Sequence, residues 1–212
     1  MLVNGKPLVM HAYHHAVLWG CERVTVVASP ENVKHLVDLF KQPNSELHWV
    51  VQPKPSSIVD AIHRGIQTVQ TNRVLILCAD NTFEFDGKTP DIQSYIKSKQ
   101  SFFGSRSLPQ SVAGRFTRWL GRKRLDTSTH NGPSDIPVHS GGVVLFESGE
   151  PMTKFDGCWI GPLLLDTEAV MATSLNSVSI VDLINGATCQ GQILSPIPML
   201  CSDMGVPEEL VG

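Results

Sequence analysis

The sequence predicts a single α/β domain over residues 1–212, with a sheet that is parallel in one half and mixed in the other. Three observations support this fold class. Helical and strand patterns alternate through the first third of the chain, as in βαβ units. After residue 85 this order changes to strand pairs and widely spaced helices. Finally, 42% of residues are hydrophobic and only 17% are charged, so 212 residues can bury a sizeable core.

The first third reads as regularly alternating elements. Residues 6–19 place apolar groups at helical spacing, with Pro7 suited to the first turn and Gly20 to the position after the helix ends. The pattern then predicts a strand, a helix and a second strand at 22–29, 31–40 and 46–52. A further helix is expected over 56–69, with Ser56 or Ser57 as its N-cap. Residues 73–80 form the clearest strand.

The remaining patterns are less regular. They predict helices at 90–99, 161–173 and 179–191, strands at 101–107 and 138–147, a strand pair in 114–125, a polar loop at 126–135, an extended segment at 192–200, and a turn with a helix start at 201–212. Because no internal repeat or linker interrupts these elements, one domain is the simplest organisation.

Composition excludes several classes of protein. The net charge is −3, so no basic excess is available to meet a nucleic-acid backbone. No apolar run reaches the ~18 residues of a membrane span, and the first residues do not resemble a signal peptide. The five cysteines are odd in number and widely spaced, which favours reduced, structural thiols. We therefore expect a cytoplasmic protein that binds neither nucleic acid nor membrane.

Two aspartates follow strand-like segments and are candidate metal ligands. Ligands bind at the carboxyl ends of strands in open α/β sheets, which directs attention to Ala79, Asp80 and Asn81. Asp203 lies in a constrained turn beside the last extended segment. Mg²⁺ takes one or two protein carboxylates together with waters and phosphates. Each aspartate could instead cap a turn, and position alone leaves both alternatives open.

A set of ordered segments resembles the sugar-phosphate nucleotidylyltransferases, such as glucose-1-phosphate thymidylyltransferase. ILCADNTF is similar to the strand end whose Asp binds the catalytic Mg²⁺, and CSDMGVPEEL to the D-x-G-T-P-E-x-L segment that supplies the second ligand. The other matching segments, in order, are VNGKPLVMHAYHHAVLWGCERVTVV, QPKPSSIVDAI, VHSGGVVLF and SIVDLINGATCQGQ. Their order, more than any one of them, is specific. The resemblance implies a Rossmann-like mixed sheet of the nucleotide-diphospho-sugar transferase type, layered α/β/α.

The resemblance also implies a function and a set of site residues. The reaction joins a nucleoside triphosphate to a sugar 1-phosphate and releases pyrophosphate. Asp80 and Asp203 would hold Mg²⁺. The nucleotide would contact Gln52, Ser57, Ala79 and Asn81, and the sugar would contact Gly114 and Gly142. Members of the family often form oligomers, so a homo-oligomer is among the expected assemblies.

The chain also departs from the family pattern. It contains no G-x-G-T-R phosphate loop and no E-K-P motif between Leu120 and Pro137. Ser57 replaces a glycine of the base-contacting motif, and Val206 replaces a threonine. We therefore expect a domain that is N-terminally truncated relative to the family, and inactivity in this form stays open. Two alternatives remain: a non-catalytic nucleotide- or sugar-binding relative, and a glycosyltransferase that uses a nucleotide-sugar, whose usual D-x-D motif is absent.

Overall fold

The computed structural model describes residues 2–40, 46–54, 56–84, 92–98, 100–108, 113, 118–121, 143–146, 156–173 and 179–203. Its helices are α1 (Leu8–Leu18), α2 (Pro30–Leu39), α3 (Ile58–Ile66), α4 (Ile92–Lys97), α5 (Thr167–Met171) and α6 (Ile180–Cys189). Its strands are β1 (Leu2–Val3), β2 (Lys6–Pro7), β3 (Arg23–Ala28), β4 (Glu46–Val51), β5 (Arg73–Ile76), β6 (Asn81–Glu84), β7 (Ser101–Arg106), β8 (Arg118–Gly121), β9 (Val143–Phe146), β10 (Gly157–Asp166), β11 (Leu194–Pro198) and β12 (Leu200–Asp203).

The sheet is built around the ten-residue strand β10. Its second half pairs antiparallel with β5, and it also pairs antiparallel with β7 and β8. β7 continues to a parallel partner, β11, while β8 continues to β9. Separate two-stranded pairs are formed by β1 with β2, by parallel β3 with β4, and by antiparallel β6 with β12. Among the described residues, β3 pairs only with β4, and β5 pairs only with β10. Parallel and antiparallel pairs therefore coexist, as predicted.

Side-chain alternation along the strands creates two apolar layers. Leu163 and Leu165 of β10 join one buried cluster with α3, α5 and α6, whereas Leu164 joins a second cluster with Trp19 and Ile92. Phe103 and Phe102 of β7 divide in the same way. Because successive strand residues point to opposite faces, one sheet serves two helical layers. The result is the expected α/β/α arrangement.

Helices α1 and α6 both end at the glycines that the sequence predicted as their C-terminal residues. Gly20 has φ +85°, its N–H donates to Val17 O at 3.0 Å, and the Cys21 N–H donates to Ala16 O at 2.9 Å. Gly191, also at φ +85°, ends α6 with the corresponding pair of bonds. This is the Schellman arrangement, which needs a left-handed residue that glycine adopts without steric cost. The two glycines therefore stop α1 and α6 where the sequence predicted.

The largest error of the sequence analysis is the helix expected over 161–173. Residues 157–166 form strand β10, and only Thr167–Met171 are helical. β10 is buried on both faces, so its apolar residues are continuous and carry no period of two. The strand expected over 73–80 is also shorter, because β5 ends at Ile76 and a turn leads into β6. Pro7 precedes α1 as its N-cap and does not lie in the first turn.

No helix in the described part of the chain is long and apolar enough to cross a membrane. The predicted loop at 126–135 and the helix start after Asp203 lie outside the described residues.

Candidate functional site

Helices α2 and α3 pack on opposite faces of the β3–β4 strand pair. Phe40, after α2, packs against Trp49 of β4, with ring centroids 5.6 Å apart. Trp49 is in register with Val26. On the other face, Thr25 Oγ1 lies 2.9 Å from Thr68 Oγ1, just beyond α3. Since neighbouring residues of β3 face opposite sides, the chain changes face between α2 and α3. Such a change of face is expected where the strand order of an α/β sheet reverses, which is where these proteins bind ligands.

Contacts at the N-terminal ends of β3 and β4 establish the direction of the strands. Arg23, the first residue of β3, binds Glu46, the first residue of β4, with Nη2 and Oε2 2.9 Å apart. The same guanidinium donates through Nη1 to Gln70 Oε1 at 3.1 Å, shortly before β5 begins. The three strands therefore start at one edge, and their carboxyl ends lie at the opposite edge. We call this opposite edge the carboxyl edge. Gln52 follows β4 there, and Asp80 follows β5.

Gln52 lies within a polar network at the start of α3. Its side chain is buried, and its Nε2 donates to Asp60 Oδ2 at 2.7 Å and to the Ser57 carbonyl oxygen at 3.2 Å. Ser57 is the N-cap of α3, and its Oγ accepts from the Asp60 N–H at 3.1 Å. The structure thus brings together Gln52 and Ser57, two of the residues proposed from the sequence, and selects Ser57 over Ser56 as the cap.

Asp60 and Arg64 complete this network and were not proposed from the sequence. Arg64 Nε donates to Asp60 Oδ2 at 2.9 Å, one helical turn away. Hydrogen bonds from Arg64, and next from Gln52, lower the pKa of the Asp60 carboxyl below its usual value. The signal that could have revealed Asp60 is the serine cap followed three residues later by a carboxylate, which is typical of helix starts.

Ala79, Asp80 and Asn81 form the connection from β5 to β6. Ala79 and Asp80 lie in an exposed turn, whereas Asn81 is buried and begins β6. The Asn81 N–H points to Cys78 O, at 3.4 Å. This turn places the Asp80 carboxylate at the surface of the carboxyl edge, where a charged ligand is accessible.

Strand pairing brings the backbone of Asp203 close to the turn that contains Asp80. β6 and β12 pair antiparallel, and Asp203 is directly opposite Asn81 in the register. Asp80 is therefore one residue from the cross-strand neighbour of Asp203, although the two are distant in the sequence. Carboxylate oxygens are the donors that Mg²⁺ prefers, and one or two of them suffice. Asp80 and Asp203 fit that requirement, while no group of three or more His, Cys, Asp or Glu residues suited to a metal occurs among the described residues.

The two proposed sugar contacts, Gly114 and Gly142, lie outside the described residues. The remaining six proposed residues all lie at the carboxyl edge or on the strand pair beside it. Their roles in binding stay predictions.

Comparisons with known proteins point to one group of folds. Residues 1–84 match the family described as the MobA-like NTP transferase domain. This match spans the segment from β1 to β6 and includes Gln52, Ser57 and Asp80. A comparison with curated protein sequences finds no match.

Solved structures extend the likeness to the whole chain. A protein described as glucose-1-phosphate thymidylyltransferase from Bacillus anthracis, in complex with sucrose, has a TM-score of 0.73 at 16% identity, covering 99% of this chain and 82% of its own. A UDP-glucose pyrophosphorylase complexed with UDP-glucose has a TM-score of 0.70 at 15% identity, covering 100% and 86%. A UTP-bound UGPase from Acinetobacter baumannii has a TM-score of 0.67 at 13% identity, covering 97% and 80%.

These comparisons confirm the fold class and the resemblance stated from the sequence. The chain has the fold of the sugar-phosphate nucleotidylyltransferases, and its first 84 residues match the MobA-like NTP transferase domain. At these identities the structural likeness establishes the fold, and the substrates must be argued from the site.

Proposed function

We propose that this protein joins a nucleoside triphosphate to a sugar 1-phosphate and releases pyrophosphate. The observation that supports the proposal is the register of β6 and β12, in which Asp203 pairs with Asn81, the residue that follows Asp80. Gln52 and Ser57 lie at the carboxyl edge, after the neighbouring strand pair. Carboxylates for a hard cation and an amide for a nucleobase are the groups that a nucleotide site needs.

The proposed reaction is an in-line displacement at phosphorus. A phosphate oxygen of the sugar 1-phosphate forms a bond to the α-phosphorus as the bond to the bridging oxygen of pyrophosphate breaks. Pyrophosphate leaves with the electron pair. Gln52 and Ser57, with Ala79 and Asn81, would hold the nucleotide, and Asp80 and Asp203 would hold Mg²⁺. When bound, Mg²⁺ neutralises phosphate charge and helps to orient the reacting groups.

Pyrophosphate release tests this proposal directly. The protein is incubated with Mg²⁺, a panel of nucleoside triphosphates and a panel of sugar 1-phosphates. Asp80→Asn and Asp203→Asn are each expected to lower turnover about 100-fold, since a metal contact contributes several kcal/mol to transition-state stabilisation. Asp38→Asn, an exposed carboxylate on α2, is the matched control and should retain turnover. Undiminished turnover in both site variants would contradict the assignment.

A second candidate function is nucleotide binding without turnover. Ser57 favours it, because its side chain caps α3 where the family motif has a glycine, and a Cβ limits close backbone approach by a ligand. The absence of an E-K-P motif between Leu120 and Pro137 also favours it. Calorimetric titration distinguishes the two functions, since binding that is never accompanied by pyrophosphate release supports the second. Product formation from a nucleotide-sugar donor would instead support a glycosyltransferase.

A further inference from the structure

Strands β6 and β12 form a two-stranded ribbon beside the six-stranded sheet. In the part of the chain that the structure describes, no strand pairing joins this ribbon to the sheet. Asp203 is the last residue of β12 and moves with the ribbon, whereas Asp80 lies in the turn that connects β5, a strand of the sheet, to β6. A displacement of the ribbon relative to the sheet therefore changes the separation of the two candidate metal ligands.

Phe83 packs β6 against the central strand. Its side chain is 3% exposed, and a β-carbon at Gly161 of β10 would collide with its ring. The same ring lies 5.5 Å from the ring of His15 in α1 and 5.9 Å from that of Trp19, just after α1, measured between centroids. Phe83 therefore connects the first strand of the ribbon to both β10 and the end of α1.

Met199 makes a corresponding contact immediately before β12. It is 2% exposed, and its backbone N–H donates to Ser105 O of β7 at 3.0 Å. A β-carbon at Gly104 would lie 3.1 Å from Met199 Sδ and 2.9 Å from Cδ of Pro162. Glycine at this position leaves room for both side chains. Met199 therefore connects the second strand of the ribbon to β7.

Both contacts lie at the irregularity in the central strand. The register of β10 with β7 shifts between Trp159 and Leu163, an interval that includes Gly161 and Pro162. Gly104 belongs to the part of β7 that faces this interval. Irregularities of this kind are frequent next to active sites, where they redirect side chains. The irregularity of β10 therefore forms the surface on which both strands of the ribbon pack.

We infer that Phe83 and Met199 are positioning residues for the candidate cation site, because they fix the ribbon against the sheet. Ligands of a bound ion must be held within about 0.5 Å of their places. A smaller side chain at either position leaves a void beneath the ribbon, which then gains freedom to move. This inference rests on the proposed function, since it takes Asp80 and Asp203 as the ligands. It adds the residues that hold them in place.

Binding of Mn²⁺ to the whole protein tests the inference. Mn²⁺ accepts the same oxygen ligands as Mg²⁺, and electron paramagnetic resonance measures the unbound ion. Phe83→Leu and Met199→Ala should each weaken Mn²⁺ binding about tenfold, as is typical when groups that support metal ligands are removed. The control is Phe102→Leu, which removes a fully buried ring of the same apolar cluster from β7. It should change the affinity less than about twofold.

A loss of stability alone does not produce this pattern. The apparent dissociation constant rises only by the inverse of the folded fraction, so a variant that remains folded keeps its affinity unless the site has changed. Urea denaturation gives the folded fraction of each variant. Met199→Leu, which nearly conserves volume, should bind Mn²⁺ within about twofold of the unaltered protein.

A second arm uses only the unaltered protein and remains informative if the variants do not fold. Coupling between two sites is reciprocal, so a cation that requires a fixed ribbon must also stabilise it. Saturating Mn²⁺ should slow hydrogen exchange of the Phe83 and Met199 backbone amides about tenfold, measured by mass spectrometry. The Trp49 amide of β4 serves as the control and should be unaffected.

The outcomes separate the inference from the function on which it rests. If the unaltered protein binds no Mn²⁺, or if Asp80→Asn and Asp203→Asn bind it undiminished, the proposed cation site and the inference are both overturned. If these two variants lose the ion while folded Phe83→Leu and Met199→Ala keep it, or if exchange at the ribbon does not slow, only the inference fails. Weaker binding in both positioning variants, with slower exchange at the ribbon, supports it.

Discussion

Gly161 lies directly against the ring of Phe83. A β-carbon at Gly161 would collide with Phe83 Cε1, and Gly161 has φ +154°. The register of β10 shifts between Trp159 and Leu163 at this point, so the glycine sits in an irregularity of the central strand. Phe83 belongs to β6, the strand that follows Asp80 and pairs with β12. This contact connects the core of the sheet to the candidate metal site.

We predict that Gly161→Ala destabilises the protein by about 2–3 kcal/mol, through overpacking and an unfavourable backbone conformation. Urea denaturation monitored by circular dichroism measures the change. Phe83→Ala removes the ring, so in that background the additional cost of Gly161→Ala should be smaller. An equal cost in both backgrounds would show that the contact with Phe83 is not the cause.

Local signals in the sequence predicted most elements but not the strand at the centre of the sheet. Gly20, Gly191 and Ser57 act through backbone geometry within a few residues, so their effects could be anticipated. β10 could not be anticipated, because a strand buried on both faces has a continuous apolar run, and such a run does not distinguish a strand from a helix. β6 has four residues, and its identity depends on pairing with β12.

The sequence also predicted some residues of the candidate site and missed another. Gln52, Asp80 and Asp203 were proposed from their motifs, and the register of β6 and β12 then pairs Asp203 with Asn81, the residue after Asp80. Asp60 was missed because its role depends on a contact with Gln52 across the end of β4, which spacing along one helix does not specify.

Arg73 is predicted to be a major stabilising residue at the start of β5. Its Nη1 donates to the carbonyl oxygens of Tyr95 and Ser98, its Nη2 donates to Gln100 O at 2.6 Å, and its Nε lies 3.2 Å from Asp166 Oδ1. Arg73→Met leaves these carbonyls without that donor and should cost about 2–3 kcal/mol.

The free energy of unfolding in urea provides the measurement. Arg23→Met is the matched control, because it removes an exposed ion pair with Glu46 and should cost less than about 1 kcal/mol. Equal losses of unfolding free energy in the two variants would contradict the stabilising role of Arg73.

The cap of α3 predicts a graded series at Ser57. Ser57→Ala removes the oxygen that accepts from the Asp60 N–H and should cost about 1 kcal/mol, whereas Ser57→Gly should cost only a few tenths. Thermal unfolding compares the two variants with Ser179→Ala, which removes the equivalent bond to the Val181 N–H at the start of α6. If Ser57→Ala and Ser57→Gly were equally stable, capping would not explain the role of Ser57.

Buried histidine is predicted to make stability depend on pH below neutrality. His63 is 3% exposed, and burial lowers its pKa from the ordinary 6.5, an effect that the nearby Asp60 charge partly offsets. Burial, followed by the charges of His11 and His14, also lowers the pKa of His15.

The unfolded chain therefore binds more protons than the folded chain once the pH falls below about 6.5, and the free energy of unfolding decreases with falling pH until the folded pKa is reached. Asp60 and Glu46, whose pKa values are also lowered, contribute only at more acidic pH, as their carboxylates become protonated. Urea denaturation between pH 7.5 and 5 isolates the histidine effect. His63→Leu should reduce the slope of stability against pH in this interval, while a slope equal to that of the unaltered protein would show that His63 does not titrate on unfolding.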